Sequence, residues 1–394
     1  MDIGQVFVDL FKDSGFTGLF TGMGWQNLVM IVIALVLLFL GIVKKFEPLL
    51  LVGIAFGMLL SNLPFGEIFH AEMWNDPSGV NYSDVLQNGG LIDILYIGVK
   101  TGVYPCLIFV GVGAMTDFGP MIANPKSLLL GAAAQLGVFS AFFLAICTGM
   151  FNGPEAASIG IIGGADGPTA IWLTKSLAPH LLSAIAIAAY SYMALIPLIQ
   201  PPLMRLIVPK KERMIKMEQL REVSKAEKII FPIMVTVFTV LLLPSVAGLL
   251  GCLMFGNLLK ETGVTERLSD TAQNALMNIV TLFLGISVGA TAVGENFLSA
   301  QTLLIIVLGL LAFSFSTVGG LLLGRLMCKL SHGKINPLIG AAGVSAVPMA
   351  ARVAHVEGLK ANPESYLLMH AMGPNVAGVI GSAVAAGILM SVFG

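Results

Sequence analysis

The residues best suited to chemistry lie in two apolar segments that cannot form continuous helices. Segment 154–175 contains the run Gly-Gly-Ala-Asp-Gly-Pro, and segment 335–355 is interrupted between Gly343 and Pro348. Glycine destabilises a helix interior and proline removes a helical hydrogen bond, so both segments must break. At membrane depth, non-helical backbone is tolerated only where it is buried in protein or lines a wet cavity. We therefore predict two re-entrant hairpins whose tips meet.

Asp166 stands at the break of the first segment. A carboxylate at membrane depth costs at least about 2.5–3.5 kcal/mol, so it requires a compensating partner. Na⁺ is a hard cation that prefers oxygen ligands, and the Gly164 and Gly167 carbonyls and the Thr169 hydroxyl could join Asp166 in binding it. The alternative is that Asp166 caps the second half-helix. Ion binding is favoured because a neutral Ser or Asn would cap at a lower cost.

The second segment offers Asn336, Gly340, Ser345 and Arg352. Aligning the prolines of the two segments places Ser345 beside the pseudo-symmetric image of Asp166, so this segment is predicted to complete the ion site. An arginine at this depth needs an anionic partner, either Asp166 or the carboxylate of a substrate. A purely structural salt bridge is the alternative.

Four further polar residues lie on the spans that follow the two hairpins. They are Tyr190 and Tyr192 after the first, and Asn375 and Ser382 after the second. A tyrosine hydroxyl in a buried span needs a hydrogen-bond partner, which a hydrated ion site would provide. Tyrosines at a membrane interface are the usual alternative, but both of these lie in mid-span.

The composition of the chain indicates whether these residues lie in a soluble or a membrane protein. The chain is 56% hydrophobic and 11% charged, whereas a soluble domain carries about 25% charged residues. A net charge of −1 argues against a nucleic-acid partner. The four cysteines form no CxxC pair, so they indicate neither a metal nor a redox motif. The sequence therefore predicts an all-α polytopic membrane protein.

Ten spans are predicted, five in each half of the chain. They lie near 27–43, 48–61, 92–115, 127–150, 181–200, 229–243, 245–260, 275–294, 302–327 and 366–390. With both termini outside, all but four of the 21 Lys and Arg residues fall in the cytoplasm. Lys12 and Lys175 are then outside, and Lys100 and Arg352 lie at membrane depth. The positive-inside rule selects this orientation.

The two halves repeat short patterns in the same order, such as Ile-Phe-Val-Gly at 108–111 and Leu-Phe-Leu-Gly at 282–285. Because five spans are an odd number, a second copy must lie upside down in the membrane. We predict two inverted repeats, 1–204 and 229–394, each with a re-entrant hairpin. Secondary transporters of this plan place their sites near the bilayer midplane.

Residues 205–228 separate the predicted repeats and carry many charges. They are predicted to be a cytoplasmic linker. The simpler interpretation is an amphipathic helix in contact with lipid headgroups, and the alternative is a docking site for a partner.

The motif GGADGPTAIWLTK followed by Tyr192, together with the spacing of Asn336, Gly340, Ser345 and Arg352, resembles the β subunit of the biotin-dependent, sodium-pumping decarboxylases. That family comprises the oxaloacetate, methylmalonyl-CoA, glutaconyl-CoA and malonate enzymes. The resemblance covers nearly the whole chain and implies that these residues and Asp166 matter.

The resemblance also implies an activity. The subunit would decarboxylate carboxybiotin presented by a carrier protein, and would couple this to Na⁺ export with uptake of a proton from outside. No Met-Lys-Met biotin-attachment tract occurs in the chain, so the carrier must be a separate protein. The implied partners are a biotin carrier protein, a carboxyltransferase subunit and a small single-span membrane subunit. A homotrimer in a bacterial or archaeal inner membrane is also implied.

Two other functions fit parts of the sequence. A Na⁺-coupled carboxylate symporter or Na⁺/H⁺ antiporter would explain the inverted hairpins without covalent chemistry. A structural anchor for a soluble carboxyltransferase is disfavoured, because an anchor has no use for Asp166 and Arg352 at membrane depth.

Overall fold

The computed structural model describes residues 14–20, 24–45, 47–74 and 79–394 of the 394-residue chain, without the side chains of residues 194, 295 and 296. Throughout this part of the chain the regular structure is helical, with no strand. The predicted external position of Lys12 lies outside the described residues.

The helices before the linker are α1 (Gly15–Leu19), α2 (Gly24–Ile42), α3 (Pro48–Ser61), α4 (Ala71–Trp74), α5 (Tyr82–Asn88), α6 (Leu91–Lys100), α7 (Val103–Met115), α8 (Gly119–Ala123), α9 (Ser127–Ala134), α10 (Leu136–Cys147), α11 (Gly153–Gly160), α12 (Gly167–Leu177) and α13 (Leu182–Ile207). Those that follow are α14 (Lys210–Arg213), α15 (Lys225–Leu242), α16 (Ala247–Thr262), α17 (Glu266–Thr271), α18 (Met277–Ala290), α19 (Gly294–Phe297), α20 (Ala300–Leu330), α21 (Met349–Ala361) and α22 (Leu368–Phe393). Shorter 3₁₀ turns occupy Ile161–Gly164, Pro179–Leu181, Pro244–Val246 and Pro337–Gly343, and Ala272–Leu276 is a π-helical turn.

The prediction of an all-α polytopic membrane protein is confirmed. Five helices in the described ranges are long and apolar enough to cross a bilayer, and the count rises to seven if two bent pairs each form one span. One bent pair is α6 with α7, at 67°, and the other lies within α13, at 62°. The remaining three predicted spans are α3, α15 and α16, with 14, 18 and 16 residues.

The first hairpin consists of α11, a 3₁₀ turn and α12. A capping box starts α11, in which Asn152 Oδ1 accepts from the Glu155 amide and Glu155 Oε2 accepts from the Asn152 amide, both at 2.9 Å. Glu155 also contacts His180 Nε2 at 2.8 Å, which closes the base of the hairpin. These contacts tie the two ends of the segment together at the base of the hairpin.

The second hairpin has a tighter first arm, the 3₁₀ turn Pro337–Gly343, and returns through α21. Its break is held by the side-chain amide of Asn375 on α22. Asn375 Nδ2 lies 3.0 Å from the Ala342 carbonyl, 2.6 Å from that of Val344 and 3.4 Å from that of Ala346. This amide thus satisfies carbonyl groups that the broken helix leaves unpaired.

Helices from the two halves cross at closely packed glycines. A Cβ on Gly57 of α3 would overlap the Ile286 carbonyl of α18, and a Cβ on Gly256 of α16 would overlap the Val110 carbonyl of α7. The same helices approach closely at a second point in each crossing. A Cβ on Gly289 of α18 would overlap the Ile54 carbonyl of α3, and a Cβ on Gly113 of α7 would overlap the Leu253 carbonyl of α16. The α3–α18 crossing thus has the same construction as the α16–α7 crossing.

The linker does not fold as the amphipathic helix of the simpler interpretation, which is wrong. Within residues 205–228, residues 205–207 end α13, Lys210–Arg213 form the short α14 and residues 225–228 begin α15, while residues 215–224 have no helix. Asn336 Nδ2 donates to the Arg213 and Ile215 carbonyls at 2.9 and 2.8 Å, which holds the linker against the second hairpin. A chain whose carbonyls are bonded laterally to another segment cannot also form its own helical ladder.

Candidate functional site

The breaks of the two hairpins meet through their backbones. The Ser345 amide of the second hairpin donates to the Gly164 carbonyl of the first at 2.9 Å. The neighbouring Gly163 carbonyl accepts from Ser316 Oγ of α20 at 2.6 Å. Ala165 between the turn and α12 has a φ of 54°, in the left-handed region that costs a non-glycine residue about 1–2 kcal/mol. Such strain is typical of functional sites.

Asp166 lies at this meeting point and has 6% of its surface exposed. Its Oδ1 accepts from the Thr169 amide at 3.3 Å, and its Oδ2 accepts from Ser345 Oγ at 3.0 Å and from Ser382 Oγ at 2.8 Å. The Thr169 hydroxyl lies beside the carboxylate without a hydrogen bond of standard geometry. Asp166 therefore caps α12 and also joins groups from both hairpins and α22.

No cationic side chain among the described residues pairs with Asp166. A buried carboxylate without a cation is costly, and hydroxyl donors compensate only part of that cost. The surrounding donors are carboxylate, hydroxyl and backbone carbonyl oxygens, which are the ligands that hard cations prefer. This donor set fits Na⁺.

Tyr190 borders the same site, although our site prediction centred on Tyr192. A Cβ on Gly167 would overlap the Tyr190 ring, so the ring packs directly against the first break. Its hydroxyl is buried and has no hydrogen-bond partner among the described residues. Tyr190 and Asp166 line one cavity of about 130 Å³. Helical geometry could have signalled the choice, because residues i and i+2 face nearly opposite sides and only one of the two tyrosines can face the hairpin.

Tyr192 lies elsewhere. Its hydroxyl donates to the Ile306 carbonyl of α20, and its ring packs where Gly309 leaves space. It lines an apolar cavity of about 410 Å³ with Ile33 and Leu37 of α2. The structure does not bring Tyr192 into contact with Asp166.

Asn336, Gly340 and Asn375 support the hairpins. Asn336 Oδ1 caps the 3₁₀ turn by accepting from the Leu338 amide at 3.1 Å, and its amide nitrogen holds the linker. A Cβ on Gly340 would overlap the Gly320 carbonyl of α20, so glycine permits a close approach of the two segments. The Asn375 Oδ1 is buried without a hydrogen-bond partner among the described residues.

Arg352 lies on α21 and is exposed. It forms no ion pair or hydrogen bond with any described residue, so the anticipated pairing with Asp166 is not present. The buried Glu357 on this helix instead pairs with the exposed Arg205 of α13, from which both Glu357 oxygens accept at 2.9 Å. The guanidinium of Arg352 is therefore free to bind an anion from outside the chain.

The comparisons with known proteins agree with the resemblance. The family model of the Na⁺-transporting oxaloacetate decarboxylase beta subunit matches residues 26–393. The chain is 57% identical to the methylmalonyl-CoA decarboxylase subunit beta of Propionigenium modestum, over 99% of this chain and 100% of that one. It is 58% identical to the glutaconyl-CoA decarboxylase subunit beta of Acidaminococcus fermentans, over 97% and 96%. It is 51% identical to the probable oxaloacetate decarboxylase beta chain of Vibrio cholerae, over 93% and 95%.

These relatives are named for different acids, but each is the β subunit of its decarboxylase. The match favours a decarboxylase over an ordinary symporter or antiporter, and the predicted family is confirmed. The chain belongs to the β subunits of the Na⁺-transporting decarboxylases, in which an integral membrane subunit couples decarboxylation to Na⁺ transport.

Proposed function

We propose that this chain decarboxylates carboxybiotin, presented by a carrier protein, and uses that reaction to export Na⁺ while consuming a proton taken up from outside. The observation that supports this best is the buried Asp166 carboxylate, which joins both hairpin breaks and has no cationic side chain beside it among the described residues. A transported cation can supply the missing charge.

The proposed Na⁺ site is built on Asp166. The Ser345, Ser382 and Thr169 hydroxyls and the Gly164 carbonyl can supply oxygens to the ion, and the Asn375 Oδ1 is a further buried acceptor without a partner among the described residues. Asp166 can hold Na⁺ or a proton, but binding one disfavours the other. That competition would link proton uptake to Na⁺ release.

The proposed substrate contact is Arg352. Its exposed and unpaired guanidinium fits the carboxylate of an incoming substrate, because arginine binds planar carboxylates with two parallel hydrogen bonds. Carboxybiotin supplies a carboxyl group that leaves as CO₂ once the ring nitrogen receives a proton. Arg352 would hold that carboxylate, and Asn336 would position the linker beside the same hairpin.

Tyr192 keeps a role as a positioning residue in this proposal. Its hydrogen bond to the Ile306 carbonyl ties α13, which carries Tyr190, to α20. Gly340 acts similarly, since it permits the close approach of the second hairpin to α20. Both residues would keep the hairpin breaks in register without touching the ion.

The proposed topology has both termini outside and two inverted repeats. The reciprocal glycine crossings of α3 with α18 and of α16 with α7 support a twofold relation between the halves. Lys228 lies 3.3 Å from Asp117 and 3.9 Å from Glu261, which groups three predicted cytoplasmic connections at one end of the molecule. Cysteines placed in the 205–228 linker and in the 62–90 loop should be labelled from opposite sides of the membrane.

The proposed partners are a carboxyltransferase subunit, a biotin carrier protein and a small single-span membrane subunit, with the β chain as a homotrimer in a bacterial or archaeal inner membrane. The functional test is ²²Na⁺ uptake into inverted vesicles that contain the complete complex, driven in turn by oxaloacetate, methylmalonyl-CoA, glutaconyl-CoA and malonate. One of them should drive uptake that avidin abolishes. Na⁺ uptake that is insensitive to avidin and needs no decarboxylation would contradict the proposal.

A further inference from the structure

The cavity beside Asp166 extends to a second carboxylate. Its volume is about 130 Å³, which is enough for several water molecules. Asp166 lies at one part of its lining, and Glu47, at the start of α3, lies at another. Tyr190 of α13 and Thr281 of α18 line the space between helices. No motif in the sequence pointed to Glu47.

Glu47 has no partner that would explain its position. It is half-buried, does not cap α3 with its side chain, and forms no hydrogen bond or ion pair with the described residues. Lys44 and Lys45 are close in sequence, but both are exposed and neither pairs with it. A carboxylate that loses part of its hydration without gaining a partner is destabilising, and a cation in the cavity would offset that cost.

The Tyr190 hydroxyl supplies a second, independent observation. It is buried without a hydrogen-bond partner, and the carboxylates of both Asp166 and Glu47 are close enough to interact with it electrostatically. Thr281 also lines the cavity, and its hydroxyl makes no hydrogen bond to a described residue. Two residues with uncommitted hydroxyls thus line the cavity that the two carboxylates share.

We propose that Glu47, Tyr190 and Thr281 form the entrance of the sodium path, in which Glu47 captures a partly hydrated Na⁺ and passes it to Asp166. This rests on the proposed function and its topology, in which Glu47 lies at the cytoplasmic end of α3. The two hydroxyls replace water ligands as the ion moves inward. Glu47 also counters the local positive field of Lys44 and Lys45, which would otherwise repel Na⁺ at this opening.

The test is the Na⁺ dependence of decarboxylation by the complete complex with Glu47→Gln. Losing the capturing charge should raise the Na⁺ concentration for half-maximal rate by about tenfold. The rate at saturating Na⁺ should stay within about twofold of wild type, because Asp166 and Arg352 are intact. Glu47→Asp should give an intermediate value. Glu218→Gln is the matched control, since Glu218 is an exposed acid on the linker with no ion pair in the described chain.

A second readout does not depend on turnover. Na⁺ should raise the melting temperature of the purified complex, and Glu47→Gln should shift the midpoint of that effect to higher Na⁺ in parallel with the kinetic change. An unchanged half-maximal Na⁺ concentration overturns the entrance proposal, and so does a loss of saturated rate in an assembled complex. An equal shift in Glu218→Gln reduces the effect to general surface charge and overturns it as well. Lack of Na⁺ dependence in the wild type would contradict the proposed function itself.

Discussion

The two hairpins meet at one point but contribute different chemistry to it. The first carries its charge at the break, where Asp166 is buried among hydroxyls. The second has no charged residue at its break and carries Arg352 on the outgoing helix, where the side chain is exposed. One hairpin thus presents a buried anion to a cation, and the other presents an accessible cation to an anion.

Under the proposed function, this difference would assign Na⁺ to the first hairpin and the carboxylate substrate to the second. An ion that binds Asp166 must leave water, whereas a carboxylate that meets Arg352 can remain at the surface of the subunit. The Ser345 amide and hydroxyl contact the first hairpin at Gly164 and Asp166, so they form the direct link between the two sites. Coupling of decarboxylation to transport would then act through the meeting of the breaks.

The largest effect is expected at the charge of the first hairpin. Asp166→Asn keeps the side-chain size and removes the charge, so decarboxylation and ²²Na⁺ transport should both fall at least about a hundredfold, since losing one partner of a buried, hydrogen-bonded charge pair costs about 2–5 kcal/mol. The complex should still assemble, as judged by size-exclusion chromatography. Asp84→Asn, at a partly exposed site on α5, is the control. Retained Na⁺-dependent turnover would leave Asp166 as a helix cap alone.

The second hairpin is tested by Arg352→Lys, which keeps the charge and loses the paired donors. Decarboxylation at saturating Na⁺ should fall roughly 10- to 100-fold, because hydrogen bonds to charged groups contribute about 1.5–3 kcal/mol. The half-maximal Na⁺ concentration should stay constant. Arg267→Lys is the control, since Arg267 is exposed with no side-chain ion pair to a described residue. If excess Na⁺ restores the variant, the two hairpins do not divide the substrates as proposed.

Removing a serine hydroxyl from Asp166 should have a smaller effect on activity than either charge substitution. Ser345→Ala and Ser382→Ala each remove one hydroxyl from Asp166, and each should raise the half-maximal Na⁺ concentration by about tenfold. Only Ser345 bridges the two hairpins, so its replacement should also lower the number of Na⁺ ions moved per CO₂ released. Ser314→Ala, at a partly exposed serine on α20 whose hydroxyl donates to the Leu310 carbonyl, should change neither value. Equal transport stoichiometry in both variants would show that the bridge does not couple the sites.

The sequence predicted the breaks and the charge they carry, because glycine, proline and an intramembrane acid are local signals. It also named Thr169, Ser345 and Ser382, which lie beside Asp166, but it missed Glu47. Glu47 reaches the cavity only through the packing of α3 against other helices, and no local pattern marks it. The prediction of an amphipathic helix in the linker was wrong. Its alternating charges suit such a helix, but Asn336 on another segment binds the Arg213 and Ile215 carbonyls, which are then not available for helical hydrogen bonds.

The alignment of the two proposed repeats illustrates the same limit. The pattern match at 108–111 and 282–285 pairs Val110 with Leu284, but the reciprocal crossings pair Val110 with Ile286. Two residues on a helix change the facing side by about 200°. A short apolar pattern cannot distinguish these registers, because leucine and isoleucine both suit a lipid-facing or a core position. Only the glycines that permit close approach fix the alignment.

The smallest effect is expected at Tyr192, which the resemblance places in the site and the structure places on α13 with its hydroxyl bonded to α20. Tyr192→Phe removes one hydrogen bond to the Ile306 carbonyl, and because that bond joins two helices and does not touch the ion, the half-maximal Na⁺ concentration should change by no more than about threefold. Tyr190→Phe should change it more, because its hydroxyl borders the cavity shared with Asp166.

The measurement is the initial decarboxylation rate against Na⁺ concentration for both tyrosine variants, with Tyr366→Phe as an exposed control. A positioning role for Tyr192 also predicts a lower melting temperature of the complex without a change in Na⁺ selectivity, since the bond joins two helices rather than a helix and an ion. The reverse order, with Tyr192→Phe the more damaging to Na⁺ affinity, would mean that α13 turns during transport to bring Tyr192 toward the first hairpin. In that case the hairpin break would meet different faces of α13 at different stages of the cycle.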